Sequence, residues 1–139
     1  MIIEQTSITI ATRGARLYDV TAEVAAAIRG WKIARGICNV FVRHTSASLL
    51  IQENADPAVL RDLQKWIARV APESDVYEHD DEGPDDMPAH LRSAITKTQE
   101  SIPIRESRLG LGTWQALYLW EHRAAAHQRE LILTAFGET

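Results

Sequence analysis

The sequence predicts an α+β fold: a single domain, residues 1–139, with a mostly antiparallel sheet or sandwich and two or three covering helices. Three observations carry this. Several short runs alternate with period two or are dense in Val, Ile and aromatic residues. Only one long stretch, after Asp56-Pro57, repeats apolar residues at helical spacing. A chain of 139 residues that is 45% hydrophobic and 24% charged has the size and composition of one globular unit.

In chain order, Met1 to Ile10 reads as a strand, with Ile2, Ile8 and Ile10 alternating with Ile3, Ser7 and Thr9. Ala15 to Val20 reads as a second strand. Thr21 then opens an Ala-rich helix as its cap, and Gly30 and Gly36 bracket the end. Ile37 to His44 is too short and β-branched for a helix and reads as a buried strand, continued by Leu49 to Gln52. At Asp56-Pro57 a capping carboxylate precedes a proline suited to the first helical position. Val59, Leu60, Leu63, Trp66, Ile67 and Val70 form its apolar stripe, expected to face the core, and Pro72 ends it. The acidic stretch to Pro88 reads as a loop, Ala89 to Thr98 as a short helix, and Ser101 to Glu106 as an edge strand because of Pro103. After the turn Leu109 to Gly112, Thr113 to Arg123 is a strand with apolar centres on both faces, and Glu130 to Phe136 is its expected hairpin partner.

Charge is distributed unevenly. Residues 73 to 86 carry eight acids and no Lys or Arg, leaving 11 acids against 15 bases elsewhere, so a net charge of -4 hides a remainder of +4. That remainder suits a small anionic ligand. Its bases are scattered singly, which argues against nucleic acid as a partner. The single cysteine, Cys38, can form neither an intramolecular disulfide nor a Cys-rich zinc site. No apolar run has the length of a signal peptide or membrane span, so the expected location is cytoplasmic, away from membranes.

Three histidines stand in unusual contexts: His44 at a strand end, His79 in the acidic loop and His90 near a helix start. Imidazoles in a group of three suit zinc or a neighbouring transition metal, and the acids around His79 favour a cation. Their spacing contains no helical i, i+4 pair of histidines, so spacing alone favours a strand-capping His44 beside two solvated histidines over a shared metal site. Asp56 is a helix cap first and a ligand or base second. Asn54 belongs to the polar pair that ends an apolar strand. Glu121, on a strand buried on both faces, needs a partner: Arg123, Arg43 or a metal. Ser46 and Ser48 lie near His44, but no Gly-x-Ser-x-Gly turn surrounds them.

Taken in order, His44-Thr45-Ser46-Ala47-Ser48, Glu53-Asn54-Ala55-Asp56-Pro57, Glu78-His79-Asp80, Asp85-Asp86-Met87-Pro88-Ala89-His90 and Gly112-Thr113-Trp114-Gln115 resemble the YjbQ family over nearly the whole chain. The resemblance implies a small α+β protein assembled as a homotrimer. It also implies a secondary thiamine-phosphate synthase, a transferase coupling a pyrimidine diphosphate to a thiazole phosphate with release of pyrophosphate. On this resemblance His44, His79 and His90 are the metal positions, for a divalent ion such as zinc or magnesium. His44, Asp56 and Glu121 are the catalytic positions, and Arg43, Asn54, Trp114 and Gln115 contact a small phosphorylated anion. Glu121-His122-Arg123 departs from the family's Glu-x-Asp-Gly-Pro-Arg pattern, so Arg43 stands in for Arg123 as the anion-binding base. The alternatives are metal-dependent hydrolysis at the same histidines, with Glu121 or Asp56 as the base, and a ligand-binding trimer without catalysis.

Overall fold

The computed structural model describes residues 1–139. Strands make up 42% of the chain and helices 23%, an α+β fold. The order is β1 (Ile2–Thr12), β2 (Arg16–Asp19), α1 (Thr21–Ile28), β3 (Arg35–Val42), β4 (Ala47–Glu53), α2 (Pro57–Val70), α3 (Asp86–Ile95), β5 (Gln99–Arg105), β6 (Arg108–Leu109), β7 (Gln115–Glu121) and β8 (His127–Glu138). Five strands form one antiparallel sheet in the order β1-β8-β3-β5-β6, and three form a second in the order β2-β7-β4.

Alternation explains the layering. Cys38, Val40 and Val42 of β3, Ile102 and Ile104 of β5, and Leu131, Leu133 and Ala135 of β8 are buried at every second position. They share one core with Ala47 and Leu49 of β4, Leu117 and Leu119 of β7, and Val24 and Ile28 of α1. The two sheets therefore pack face to face. The opposite face of β7, with Ala116, Tyr118 and Trp120, is buried too; Trp120 Nε1 donates to Gln64 Oε1 of α2 at 2.8 Å. Both-face burial of β7, expected from its sequence, thus comes from a sheet on one side and helices on the other.

Several boundaries differ from the sequence reading, each for a physical reason. Thr21 does not cap α1: its hydroxyl accepts the amide of Leu117, while Asp19 Oδ1 accepts the amide of Thr21. The stretch after His44 does not continue β3 but crosses to the other sheet, where β4 pairs with β7. Nor is β8 a hairpin partner of β7. It is twelve residues long and lies between β1 and β3, pairing with β1 in register from Ile2↔Gly137 to Thr12↔His127. The eleven-residue β1 needs a partner of its own length, which the seven-residue β7 cannot supply. On α2, Ile67 is buried, whereas Trp66 (44% exposed) and Val70 (50%) stay at the surface. That helix meets the outer face of β7 through Gln64 and buries only part of its stripe.

The close β3–β8 pairing depends on two glycines opposite one another, Gly36 and Gly137. A Cβ on Gly36 would run into the carbonyl of Phe136, and one on Gly137 into the carbonyl of Arg35. Elsewhere, the β5–β6 turn places Glu106 (φ 50°) and Ser107 (φ 63°) in the left-handed region, a strain of about 1 kcal/mol per residue.

Candidate functional site

The site is assembled around the start of α3. This helix begins at Asp86, three residues earlier than the sequence reading had it, and its spacing places Asp86 and His90 one turn apart on one face. Asp86 is buried, with its Oδ2 2.7 Å from His79 Nε2 and 3.3 Å from His90 Nε2. The two imidazole rings lie 5.4 Å apart. Glu82 Oε2, 3.6 Å from His79 Nε2, completes a group of four donors that all lie within 4.8 Å of one another.

The surroundings fix the roles of the atoms. His90 Nδ1 lies 3.0 Å from the carbonyl oxygen of Thr45, which can only accept, so Nδ1 is the donor there and Nε2 is the nitrogen turned toward Asp86. Arg123 holds the other side: its Nη1 donates to Asp86 Oδ1 at 2.8 Å, its Nε to Asp85 Oδ2 at 3.1 Å and its Nη2 to the Glu82 carbonyl at 3.0 Å. Burial alone would raise the Asp86 carboxyl, but the hydrogen bond with His79 and the nearby cations hold it below the usual range. The bond to Asp86 raises His79, outweighing a smaller opposing effect of desolvation.

These residues fit a divalent cation. Two imidazoles and two carboxylates suit zinc and its transition-metal neighbours; magnesium prefers oxygen donors and retained water.

The other predicted site residues fall elsewhere. His44 is adjacent in sequence to Thr45, yet its ring turns toward β8, where Nε2 accepts the amide of Glu130 at 2.8 Å. Burial, then the nearby Arg129, lowers its pKa, so it is neutral. It is not among the four convergent donors. Glu121 is fully buried, and its partner is none of those expected. Arg129 donates to it from Nε at 2.7 Å and from Nη2 at 2.5 Å, Thr12 from Oγ1 at 2.6 Å, and Arg123 only through its backbone amide. Burial would raise this carboxyl, but these hydrogen bonds outweigh it and hold it low. A carboxylate so saturated is a structural anchor, poorly placed to take a substrate proton. Arg43, meanwhile, pairs with Glu130 at 3.2 Å.

Asn54, Asp56, Trp114 and Gln115 gather at the opposite end of the β4–β7 pair, where Glu53 faces Gln115. Asp56 caps α2 through the amide of Ala58 at 2.9 Å, Asn54 donates to the Thr113 carbonyl at 3.2 Å, and Gln115 Oε1 accepts the Gly112 amide at 2.8 Å. Trp114 is 65% exposed in the single chain. Six strand steps separate Gln115 from Glu121, roughly 20 Å. Within one protomer the expected residues thus form two distant groups. The sequence reading misses Asp86 and Glu82 as donors, Arg129 as the partner of Glu121, and the pairing of the Arg123 guanidinium with Asp85 and Asp86. The Asp86-x-x-x-His90 spacing was the available signal, hidden by the late helix start.

Residues 6–138 match the family described as UPF0047 protein YjbQ-like. A UPF0047 protein of Synechocystis sp. is 54% identical over 135 residues, covering 96% of this chain and 92% of its own. The UPF0047 protein YjbQ of Salmonella typhimurium is 37% identical over 135 residues, covering 96% and 98%. A crystal structure from Sulfolobus solfataricus, of a YbjQ-like protein of unknown function, superposes with a TM-score of 0.86 at 26% identity over 99% of this chain and 100% of the other. These findings overturn the expected thiamine-phosphate synthase activity and its hydrolase alternative, because the relatives are described only as UPF0047 proteins and none is described by either reaction. The site's own charge agrees: two of the four convergent groups are the acids Glu82 and Asp86, Asp81 and Asp85 stand beside them, and the one guanidinium against them is already paired, which disfavours two phosphorylated substrates. No helix is long and apolar enough to cross a membrane. By sequence along nearly its full length, and with the same fold, the chain belongs to the YjbQ-like UPF0047 family.

Proposed function

We propose that this protein binds a divalent transition-metal ion, zinc above magnesium, through His79, Glu82, Asp86 and His90. One observation carries the reading: four donor atoms from a loop and a helix lie within 4.8 Å of one another. Support comes from the Thr45 carbonyl, which orients His90, and from Arg123, which occupies only the far oxygen of Asp86. His79 shares a proton with Asp86 in the metal-free protein, and a cation takes that proton's place. Such an ion supplies Lewis acidity and a docking point for a small anion.

Self-association as a homotrimer belongs to the same proposal. On the outer face of the five-stranded sheet, register aligns Ile3, Phe136, Ile37 and Pro103 in one apolar row across four strands, with Ile3 69% exposed. Light scattering at micromolar concentration tests it, and a monomer rejects it.

The metal experiment is isothermal titration of EDTA-treated protein with zinc chloride and with magnesium chloride. The expected result is one zinc per chain with magnesium much weaker. His90→Ala and Asp86→Asn should each weaken zinc by about 10-fold to 100-fold. Equal zinc binding by wild type and both variants would refute the assignment.

A further inference from the structure

A second concavity lies at the other end of the molecule, between α1 and the segment from β6 to β7, and shares no residue with the histidine–carboxylate group. Its volume is about 460 Å³, within the range that encloses small molecules. Ala25 and Ile28 of α1 and Leu109 and Leu111 of the facing segment make an apolar lining, while Arg29 and Arg108 stand at it from opposite walls. Both arginines are exposed, and neither guanidinium makes an ion pair or a side-chain hydrogen bond, so both are free to meet a ligand at this cavity. No acid lines the cavity. Ser107 reaches its wall from a turn held in the left-handed region, so the position of Arg108 beside it is set by a strained two-residue connection.

An apolar lining alone would suit any hydrophobe, but two uncompensated guanidinium groups and no carboxylate select charge as well. We propose that this cavity binds a small molecule carrying one anionic group, a carboxylate, sulfonate or phosphate monoester, on an apolar body. The body packs between α1 and Leu109–Leu111, and the anion meets Arg29 and Arg108. Gln115, which also lines the cavity, links it to the polar cluster of Asn54, Asp56 and Trp114 that stands apart from the histidines. The proposal is independent of metal binding.

The test uses anilinonaphthalene sulfonate as the anionic apolar probe and phenylnaphthylamine as its neutral counterpart, each titrated into the full chain by fluorescence. Expected are saturable binding of one sulfonate probe per chain, weakened about tenfold or more in Arg29→Gln/Arg108→Gln, and neutral-probe binding that the double variant leaves unchanged. Ala25→Trp should abolish both by filling the lining. Should that variant fail to give the wild-type circular dichroism spectrum, Leu111→Trp fills the cavity from the opposite wall. Absence of saturable binding, or sulfonate binding indifferent to the arginines and to the filling variant, overturns the proposal. Loss of sulfonate binding through Ala25→Trp with no effect of the arginine pair overturns the anionic half and with it the ligand class.

Discussion

His122 should make the protein lose stability as the solution is acidified, over a range where carboxylates are still largely ionised. The residue is 1% exposed, its ring lies tilted against Trp120 with centroids 5.3 Å apart, and its Nε2 lies 2.9 Å from Ser48 Oγ while Nδ1 has no partner. Burial, and then the positive field of Arg92, lowers its pKa from 6.5 to about 3. The folded state therefore refuses a proton that the unfolded chain accepts below 6.5, so the contribution is fully present above that pH and drains away toward the folded value. Each unit is worth roughly 1.4 kcal/mol, so acidification from about pH 7 to about pH 5 should remove about 2 kcal/mol through this residue alone. His44, also lowered, adds to the loss, and His79, raised by Asp86, opposes it. A variant comparison isolates the His122 part. Urea unfolding of wild type and His122→Phe at both pH values should show the variant's stability falling by about 2 kcal/mol less than that of wild type. If both proteins lose the same amount, the ring is not held neutral by its burial, and the reasoning fails.

Three further predictions concern the elements that set the site. Arg129→Ala leaves the carboxylate of Glu121 buried without its cation and should cost about 3–5 kcal/mol in chemical denaturation; Glu121→Leu/Arg129→Met should cost less, because no charge is stranded. Zinc affinity should rise with pH above 6.5, since the elevated pKa of His79 makes a proton compete for its nitrogen; calorimetry showing no dependence would exclude His79 as a ligand. Gly36→Ala places a methyl group against the Phe136 carbonyl and should destabilise the β3–β8 pairing by more than about 1 kcal/mol, measured as a lowered unfolding midpoint, whereas Gly30→Ala, with open space around it, should be nearly neutral.

What the residues alone determined was local. Alternation in β1 and in β7, the Asp56-Pro57 start of α2 and its end before Pro72 were readable because each depends on neighbours within a turn or a few strand steps. The family, too, was legible, since its five motifs keep their order along the chain. What only the tertiary structure decided was which distant groups meet. That β8 pairs with β1 and β3, that Glu121 finds Arg129, and that His44 turns to the Glu130 amide while His79 and His90 share Asp86 all depend on sheet register and on helix α3 starting at Asp86. A one-residue shift in either would turn these side chains to another face, and no local pattern encodes such a choice, because it is made by the burial of the whole core at once.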